Sequence, residues 1–385
     1  ETRREKAMNV RIIDAIEGID AAAWNELAGT DYPFTRHEFL VALERHDCVG
    51  PEYGWLPRHV TVWDDARLVG AAPMYLKYNS YGELVFDWSW ASAYERHGLP
   101  YYPKLVSAIP YTPATGGRML VADGEDEQEI RRYIADAARE HAEEQGLSSL
   151  HWLFTQDGET DFLETQGLMR RTGCQFHWQN RGYSSFDDFL GALAARKRKN
   201  IRRERQRVLE SSTEIGIRLG GELSDAEWRT WHRLYVSTFE RKSGVATLSE
   251  GFFREIGRTL PERVIVVFAR RHGDTVAGAL CLRGADTLYG RHWGAFEHHD
   301  GLHFETCYYQ GLEFCIRQGM AHFEPGAQGE HKVARGFLPR PTWSAHWIAD
   351  PGFRAAIGRF LVDEQQAMAD YLQEMSARSP YRSTG

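Results

Sequence analysis

The chain has 385 residues, of which 42% are hydrophobic and 12% aromatic. This composition excludes an intrinsically disordered protein and supplies enough apolar material for two domains or one large one. The net charge of −8 argues against a general nucleic-acid binder, although the basic residues are unevenly distributed along the chain.

Cysteine usage and hydropathy favour a cytoplasmic protein. The five cysteines form no CxxC pair and are odd in number, as expected of reduced thiols. No apolar run approaches the ~20 residues of a membrane helix, and the opening residues ETRREKAMNV lack an apolar signal core. We therefore expect no integral membrane segment. The 16 histidines are scattered without metal-site spacing, so we also expect no metal.

Hydrophobic periodicity predicts a first domain over residues 1–179 that mixes helices and strands. Helices are predicted at 20–27, from Thr35 onward and at 126–145. Strands are predicted at 9–13, 59–65, 67–78, 83–90, 148–155 and 173–178. The 83–90 strand, ELVFDWSW, is rich in aromatic residues.

A second domain is predicted over residues 180–350, followed by a C-terminal helix and tail over 351–385. Ser224 and Glu227 have the spacing of a helix capping box. Helices are predicted at 186–193, 224–241, from Ser249 onward, at 304–318 and at 353–375. Strands are predicted at 263–270, 275–283, 286–293 and 344–348.

The order of elements recurs about two hundred residues later, which indicates a domain pair built on one plan. FTRHEFLVALE, HVTVWDDARLVGAAPMYLK and ELVFDWSW are echoed by LSEGFFREIGRTL, VIVVFARRHGDTVAGALCLR and TLYGRHWG. Helices interleaved with strand meanders predict an α/β (α+β) fold with mixed sheets flanked by helices.

Residues 323–337, FEPGAQGEHKVARGF, are the most informative stretch because they combine a flexible backbone with reactive side chains. Gly326 and Gly329 allow turns and a close approach to a ligand or its carrier. Gln328 adds hydrogen-bonding groups for a substrate. The segment suits an anionic or acyl-carrying ligand, and the alternative is a polar surface loop.

The same stretch holds the preferred chemical groups. Glu330 and His331 are acid/base candidates, although His331 could equally be a structural histidine. Lys332 and Arg335 could stabilise a developing oxyanion or hold a carboxylate.

The segment ARKRKNIRRERQR is strongly basic in an acidic chain. On a helix its charges would surround most of the circumference, with Ile201 as the only strong apolar residue. Arginine forks match phosphate oxygens, so we predict contact with a tRNA backbone, a nucleotide-linked precursor or the phosphates of CoA. The alternative is a solvated charged helix. The candidate phosphate-binding residues are Arg196, Lys197, Arg198, Lys199, Arg202 and Arg203.

Further candidates lie on the last strand before the 304–318 helix and at the start of that helix. Alternation on the strand sends Arg291 to one face, where it needs a ligand or an ion-pair partner, and His292 to the other. His303 and Glu305 lie at the first helical turn, where exposed N–H groups favour a negative ligand. Glu305 is either a base for an acceptor amine or an ordinary residue that complements the helix dipole.

The first domain contains an aromatic and charged cluster. It could bind substrate in an acceptor groove between the domains, where clefts usually form. The alternative is aromatic core around a domain joint. The candidate substrate-binding residues of this cluster are Asp87, Trp88, Tyr101, Tyr102 and Lys104.

Long motifs over nearly the whole chain resemble the FemAB-like N-acyltransferases, a family of peptidoglycan biosynthesis or recognition proteins. In the second half they are GYSSFDDFLGAL, RKRKNIRRER, DTLYGRHWG, LHFETCYYQGLEFCI and FEPGAQGEHKVARGF. In the first half they are GWLPRHV, GAAPMYLKYNSYGE, VFDWSWASAY, YYPKL and PYTPATGGR. The resemblance implies two tandem GNAT-like acyltransferase domains.

The resemblance also implies transfer of an acyl or aminoacyl group from an activated carrier to an amine. Aminoacyl-tRNA or acyl-CoA would be the co-substrate, with no tightly bound cofactor. The expected partners are tRNA and an amine-bearing small molecule or peptide, such as a peptidoglycan precursor. Some Fem ligases carry a coiled-coil arm, and this sequence has no heptad run for one. Acyl-CoA-dependent transfer to a small amine and non-catalytic binding of cell-wall precursors remain open alternatives.

Overall fold

The computed structural model describes residues 8–297, 299–327 and 329–382, which fall into two units. Unit 1 comprises residues up to Gly173 together with Pro341–Ala369. Unit 2 comprises Cys174–Arg340 together with the residues from Asp370 onward.

Fifteen strands occur within the described residues, and their bounds follow in chain order. They are β1 (Asn9–Ile13), β2 (Trp55–Pro57), β3 (His59–Asp64), β4 (Arg67–Ala72), β5 (Tyr75–Lys77), β6 (Lys104–Ser107), β7 (Leu120–Val121), β8 (Ser149–Thr155), β9 (Met169–Gln179), β10 (Thr213–Leu219), β11 (Val264–Arg271), β12 (Asp274–Arg283), β13 (Thr287–Ala295), β14 (His322–Glu324) and β15 (Leu338–Ile348).

The α-helices of the described residues are α1 (Ala21–Ala28), α2 (His37–Arg45), α3 (Trp88–Arg96), α4 (Glu127–Glu144), α5 (Asp157–Thr165), α6 (Phe186–Ala192), α7 (Ala195–Glu210), α8 (Asp225–Glu240), α9 (Glu250–Thr259), α10 (Leu302–Phe304), α11 (Gln310–Gln318) and α12 (Pro351–Ala377). A π-helical turn, Glu305–Tyr309, joins α10 to α11, and a 3₁₀ turn, Glu330–Arg335, precedes β15. Within the described residues, no helix combines the length and the apolar character needed to cross a bilayer.

The two units are not consecutive pieces of chain, whereas the predicted domains, 1–179, 180–350 and 351–385, were consecutive. The boundaries of the units fall inside β9, β15 and α12. A long strand can contribute residues to both units because its two ends contact different neighbouring elements. The end of β15, for example, pairs with β8 of unit 1 through Trp343–Ile348.

Unit 1 contains two groups of paired strands. The antiparallel set runs in the order β1, β3, β4, β7. The mixed set runs β2, β5, β6, β8 and ends on β15, with β6 and β8 parallel. An aromatic cluster around Trp90, Tyr94 and Tyr101 packs with Ile357 and Leu361 of α12.

The predicted strand at 83–90 is wrong, because this stretch forms a loop that leads into α3 at Trp88. The reason is the buried ammonium group of Lys104. Its Nζ donates to Glu83 Oε2 at 2.8 Å and to Asp87 Oδ2 at 2.5 Å. A buried cation requires partners, and satisfying it outweighs the β preference of the neighbouring aromatic residues.

Unit 2 has a mixed sheet in the order β10, β11, β12, β13, β14, β9. Only β13 and β14 are parallel in this set, and the other neighbours are antiparallel. The predicted capping box of α8 is present: Ser224 N donates to Glu227 Oε2 at 2.9 Å, and Glu227 N donates to Ser224 Oγ at 3.3 Å.

The two units share a helix followed by a β-hairpin, as the repeat in the sequence predicts. The helices are α2 and α9, and the hairpins are β3–β4 and β11–β12. The repeat breaks at its third segment, which is a loop and α3 in unit 1 but β13 in unit 2.

Close packing of α8 on β13 fixes this strand in place. Thr238 Oγ1 donates to the carbonyl oxygen of Trp293 at 2.7 Å, and Ser237 Oγ donates to that of Ala295 at 3.2 Å. Gly294 permits the approach, because a Cβ there would lie 1.9 Å from the carbonyl oxygen of Leu234. The side chains at the carboxyl end of β13 therefore depend on this contact.

We predict that Gly294→Ala destabilises the protein by about 2 kcal/mol or more, since the new methyl group must push helix backbone away from the strand. The matched control is Gly216→Ala on β10, where a Cβ meets no atom within 4 Å. Urea unfolding of both variants checks this. Equal midpoints for the two would contradict the packing argument.

Candidate functional site

Two parallel strands of unit 2 stop pairing at their carboxyl ends, where Pro325 still lies close to Gly290 of β13. β13 and β14 pair through Thr287–Tyr289 and His322–Glu324, and beyond that point only β13 continues. The chain after Glu324 leaves the sheet through Pro325 and Gly326. Ligands of α/β proteins bind where the carboxyl ends of neighbouring strands diverge, so this position is a candidate site.

We call residues 289–291 of β13 and residues 324–326 the fork. Arg291 is the extra residue of a β-bulge, since the residues on either side of it pair with consecutive residues of β12. The bulge interrupts the period-two alternation from which the sequence assigned Arg291 to a face. Arg291 lies close enough to Glu324 to influence its ionisation.

The Glu324 carboxyl group is the main acidic group at the fork, and sequence reasoning did not single it out. Its side chain is 15% exposed, and its Oε1 lies 3.8 Å from His177 Nδ1. Its Oε2 is buried and, among the described residues, has no hydrogen-bond partner. Burial raises the pKa of the Glu324 carboxyl to about 8, Arg291 opposes the shift and Asp286 adds to it. An acidic residue before Pro-Gly at a strand end is the signal that could have revealed it.

Lys332 reaches the fork from the 3₁₀ turn. Its side chain is buried, and its Nζ donates to the carbonyl oxygen of Gly326 at 2.7 Å. Gly326 and Gly329 have φ values of +98° and +117°, which L side chains rarely adopt. Burial lowers the pKa of Lys332 to about 8, although Cys307 opposes the shift. The predicted glycines thus shape the loop that receives the lysine.

Aromatic and imidazole rings surround the same turn. His331 Nε2 lies 2.9 Å from Tyr308 Oη, and the ring of His303 packs edge-on against Trp293 at 4.9 Å. Burial and the neighbouring His331 lower the pKa of His303 to about 4. Burial and Arg335 also lower the pKa of His331. Both imidazoles are therefore neutral at pH 7.

Glu305 and Arg335 belong to an ion-pair network. Both carboxylate oxygens of Glu305 accept from Arg205, at 2.9 and 3.1 Å. Arg335 Nη2 donates to Glu204 Oε1 at 2.8 Å, and Tyr309 Oη donates to the same carboxylate. These contacts tie α7 to the π-helical turn and to the 3₁₀ turn. The structure therefore supports Glu305 and Arg335 as groups that hold the site together.

Two predicted residues point away from the fork. Glu330 is 53% exposed and pairs with Arg378 at 3.2 Å. His292 is enclosed by the rings of Tyr235 and Phe253, at 5.1 and 5.9 Å, which belong to α8 and α9. Burial holds the pKa of His292 well below its usual range, as does Arg291, so it is a neutral core residue at pH 7.

The basic segment forms α7, as the phosphate-binding prediction requires. Its inner face carries Glu204, Arg205 and the buried Ile201. Arg202 pairs with Asp187 at 3.0 Å. Within the described part of the chain the other candidates form no ion pair, namely Arg196, Lys197, Arg198, Lys199 and Arg203, of which Arg196, Lys199 and Arg203 are exposed.

The unit 1 candidates divide into a buried set and an exposed residue. Asp87, Tyr101 and Lys104 are buried and bonded to each other, with Tyr101 Oη donating to Asp87 Oδ2 at 2.5 Å. Tyr102 Oη lies 2.7 Å from Ser80 Oγ. Trp88 is 40% exposed.

Gln328 lies outside the described residues. Within the described residues no group of three or more His, Cys, Asp or Glu side chains could hold a metal ion.

Comparison with solved structures shows the fold. A conserved protein of unknown function from Bacteroides thetaiotaomicron is 12% identical and has a TM-score of 0.51, over 89% of this chain and 100% of that one. A tandem GNAT protein from the clavulanic acid biosynthesis pathway is 14% identical, with a TM-score of 0.49 over 89% and 99%. FemX is 13% identical, with a TM-score of 0.49 over 79% and 91%.

No curated protein matches the sequence. The profile of the FemAB-like family, described as peptidoglycan biosynthesis/recognition, matches residues 15–383. The predicted α/β (α+β) fold class, with mixed sheets flanked by helices, is confirmed. The chain belongs to the FemAB-like family.

Proposed function

We propose that the protein is an N-acyltransferase that moves an acyl or aminoacyl group from an activated carrier to an amine acceptor. Family membership supports acyl transfer related to peptidoglycan. The single observation that carries the proposal is the fork, where the Lys332 ammonium group and the Glu324 carboxyl group reach the diverging ends of parallel strands. The leading acceptor is an amine on a peptidoglycan precursor or peptide.

Lys332 is suited to stabilising the transition state. When the acceptor nitrogen attacks the ester or thioester carbonyl, negative charge develops on the carbonyl oxygen. An ammonium group has three N–H donors, and Gly326 uses one of them, so two remain for that oxygen. The buried position strengthens this interaction relative to water.

The exposed face of α7 is the proposed contact for the phosphates of the carrier. We propose aminoacyl-tRNA as the leading donor and acyl-CoA as the alternative, and both place the protein in the cytoplasm. The unpaired basic residues of α7 support either donor, because both present phosphate oxygens. Arg205 is directed inward instead and anchors the helix.

A transfer assay tests the proposal. The purified protein is incubated with a UDP-linked muramyl pentapeptide and either total charged tRNA or acetyl-CoA, and the products are weighed by mass spectrometry. A mass gain that ribonuclease abolishes supports the tRNA donor, and one that needs acetyl-CoA supports the alternative. Binding of the pentapeptide without any mass gain from either donor indicates a non-catalytic binder and overturns the proposal.

We predict that Lys332→Met lowers kcat by about 10²-fold or more with little loss of thermal stability, because it removes charge but keeps volume. The wild-type rate should fall as pH rises through about 8, since the lysine loses its proton above that pH. Lys332→Arg should move this fall to higher pH. An unchanged kcat in Lys332→Met would exclude the lysine from the reaction.

We predict that the triple variant Arg196→Gln, Lys199→Gln, Arg203→Gln raises KM for the carrier with little change in kcat. If the carrier is RNA, the dependence of binding on salt should also weaken, because fewer counterions are released. The control, Arg229→Gln with Arg258→Gln and Arg359→Gln, removes equal charge from exposed positions elsewhere. An equal effect of both triples would exclude a specific role for α7.

A further inference from the structure

An amine acceptor is an ammonium ion at neutral pH and must lose a proton before it can attack a carbonyl group. Two predicted bases are otherwise engaged: Glu305 with Arg205, and Glu330 with Arg378 at the surface. His303 is a weak base in this setting, with a pKa of about 4. His331, the other predicted acid/base residue, has its Nε2 2.9 Å from Tyr308 Oη, so this nitrogen is engaged as well. Another group that can hold a proton would therefore assist the transfer reaction.

The Glu324 side chain has the required position. It lies at the last paired residue of β14, where β13 and β14 part. Its Oε2 is buried without a hydrogen-bond partner among the described residues, and 15% of the side chain is exposed, so the carboxyl group has unused capacity to accept a hydrogen bond. Two residues further on, the carbonyl oxygen of Gly326 holds Lys332 Nζ at 2.7 Å. Glu324 and the carbonyl group that binds the Lys332 ammonium group therefore belong to the same three-residue segment, 324–326.

His177 supports proton exchange at this carboxyl group. His177 Nε2 lies 3.1 Å from Gln175 Oε1, and an amide oxygen at this position favours the tautomer with the ring proton on Nε2. Burial lowers the pKa of His177 to about 3, and the ring is neutral at pH 7. Nδ1 then presents a lone pair towards Glu324 Oε1, 3.8 Å away. Because the His177 ring is neutral, it does not hold the Glu324 carboxyl group in its ionised form.

We propose that Glu324 binds the ammonium group of the acceptor and serves as the proton acceptor of the transfer reaction. This inference rests on the proposed function and adds a catalytic residue to it.

Glu324 takes one proton from the acceptor ammonium ion and releases it to solvent. The freed nitrogen lone pair forms a C–N bond with the carbonyl carbon, and the carbonyl electrons move to the oxygen beside Lys332. Glu324 takes the second proton from nitrogen and passes it to the leaving oxygen or sulfur as the C–O or C–S bond breaks.

The charged groups around Glu324 set the pH dependence. Burial raises its pKa to about 8, Arg291 on β13 opposes this, Asp286 contributes to it, and His177 on β9 is neutral. The ionised, active carboxylate therefore increases as pH rises towards 8. Since Lys332 loses its proton through about the same pH, the rate should be greatest near 8.

The test compares the wild type with Glu324→Gln, Glu324→Asp and the control Glu214→Gln, an exposed position on β10 of the same sheet. Rates are measured against pH with charged tRNA or acetyl-CoA, whichever the wild type uses. Glu324→Gln should lower kcat by about 10²-fold or more and lose the rising limb below pH 8. Glu324→Asp should keep that limb at reduced kcat, and Glu214→Gln should match the wild type.

Thermal unfolding gives a readout that does not depend on activity. A carboxyl group whose folded pKa is raised destabilises the fold as pH rises from its unfolded value to its folded one. Glu324→Gln should therefore gain little in Tm over the wild type at pH 5 and more at pH 9. A difference in Tm between Glu324→Gln and the wild type that is no larger at pH 9 than at pH 5 would show that the Glu324 carboxyl group is not held with a raised pKa.

The outcomes separate the two proposals. An active wild type with a Glu324→Gln variant that keeps both kcat and the rising limb overturns the role of Glu324 and leaves the transferase function standing. A wild type that transfers nothing from either donor overturns the function and this role together, even if the Tm gap widens.

Discussion

The Glu204–Arg335 ion pair is the contact on which the arrangement of unit 2 depends. It joins α7 to the 3₁₀ turn, and Arg335 also donates to Tyr309 Oη at 3.0 Å. Since a buried charge that loses its partner costs about 3–5 kcal/mol, the turn is strongly held. Lys332 is three residues from Arg335 on that turn, so the ion pair determines where its ammonium group lies.

At the fork, burial shifts the pKa values of two ordinary side chains, Lys332 and Glu324. Lys332 and Glu324 carry opposite charges in water at pH 7, yet burial moves both pKa values to about 8. Each group can therefore gain or lose a proton near neutral pH. Lys332 is suited to orienting the carbonyl group of the donor, and Glu324 is suited to exchanging protons with the acceptor amine. The two side chains are therefore a suitable pair for amide formation.

The buried charged residues of unit 1 form a polar network, unlike those at the fork of unit 2. Lys104 donates to Glu83 and Asp87, and Tyr101 donates to the same Asp87 oxygen that Lys104 binds. His151 Nδ1 lies 2.7 Å from His346 Nδ1, which extends the polar network across β8 and β15. Such a network is costly to disrupt because each member is buried and relies on the next. It fixes the 83–88 loop, from which Trp88 projects to the surface.

Local pattern determined much of this protein. The hairpins β3–β4 and β11–β12, the capping box of α8 and the family could be predicted, because alternation, caps and long motifs are encoded by neighbouring residues. The glycines of the 323–337 segment were likewise recognisable, since positive φ is a local property.

Tertiary structure alone decided which charged residues reach the fork. Glu305 and Lys332 were both candidates for a catalytic role in sequence, but Glu305 is bound by Arg205 and Lys332 donates to the carbonyl oxygen of Gly326. Glu324 became a candidate only when its unpartnered Oε2 and its neighbour His177 were seen. The physical reason is that burial and ion pairing bring together residues that are a hundred positions apart in the sequence. A pattern of neighbouring residues contains no information about such contacts.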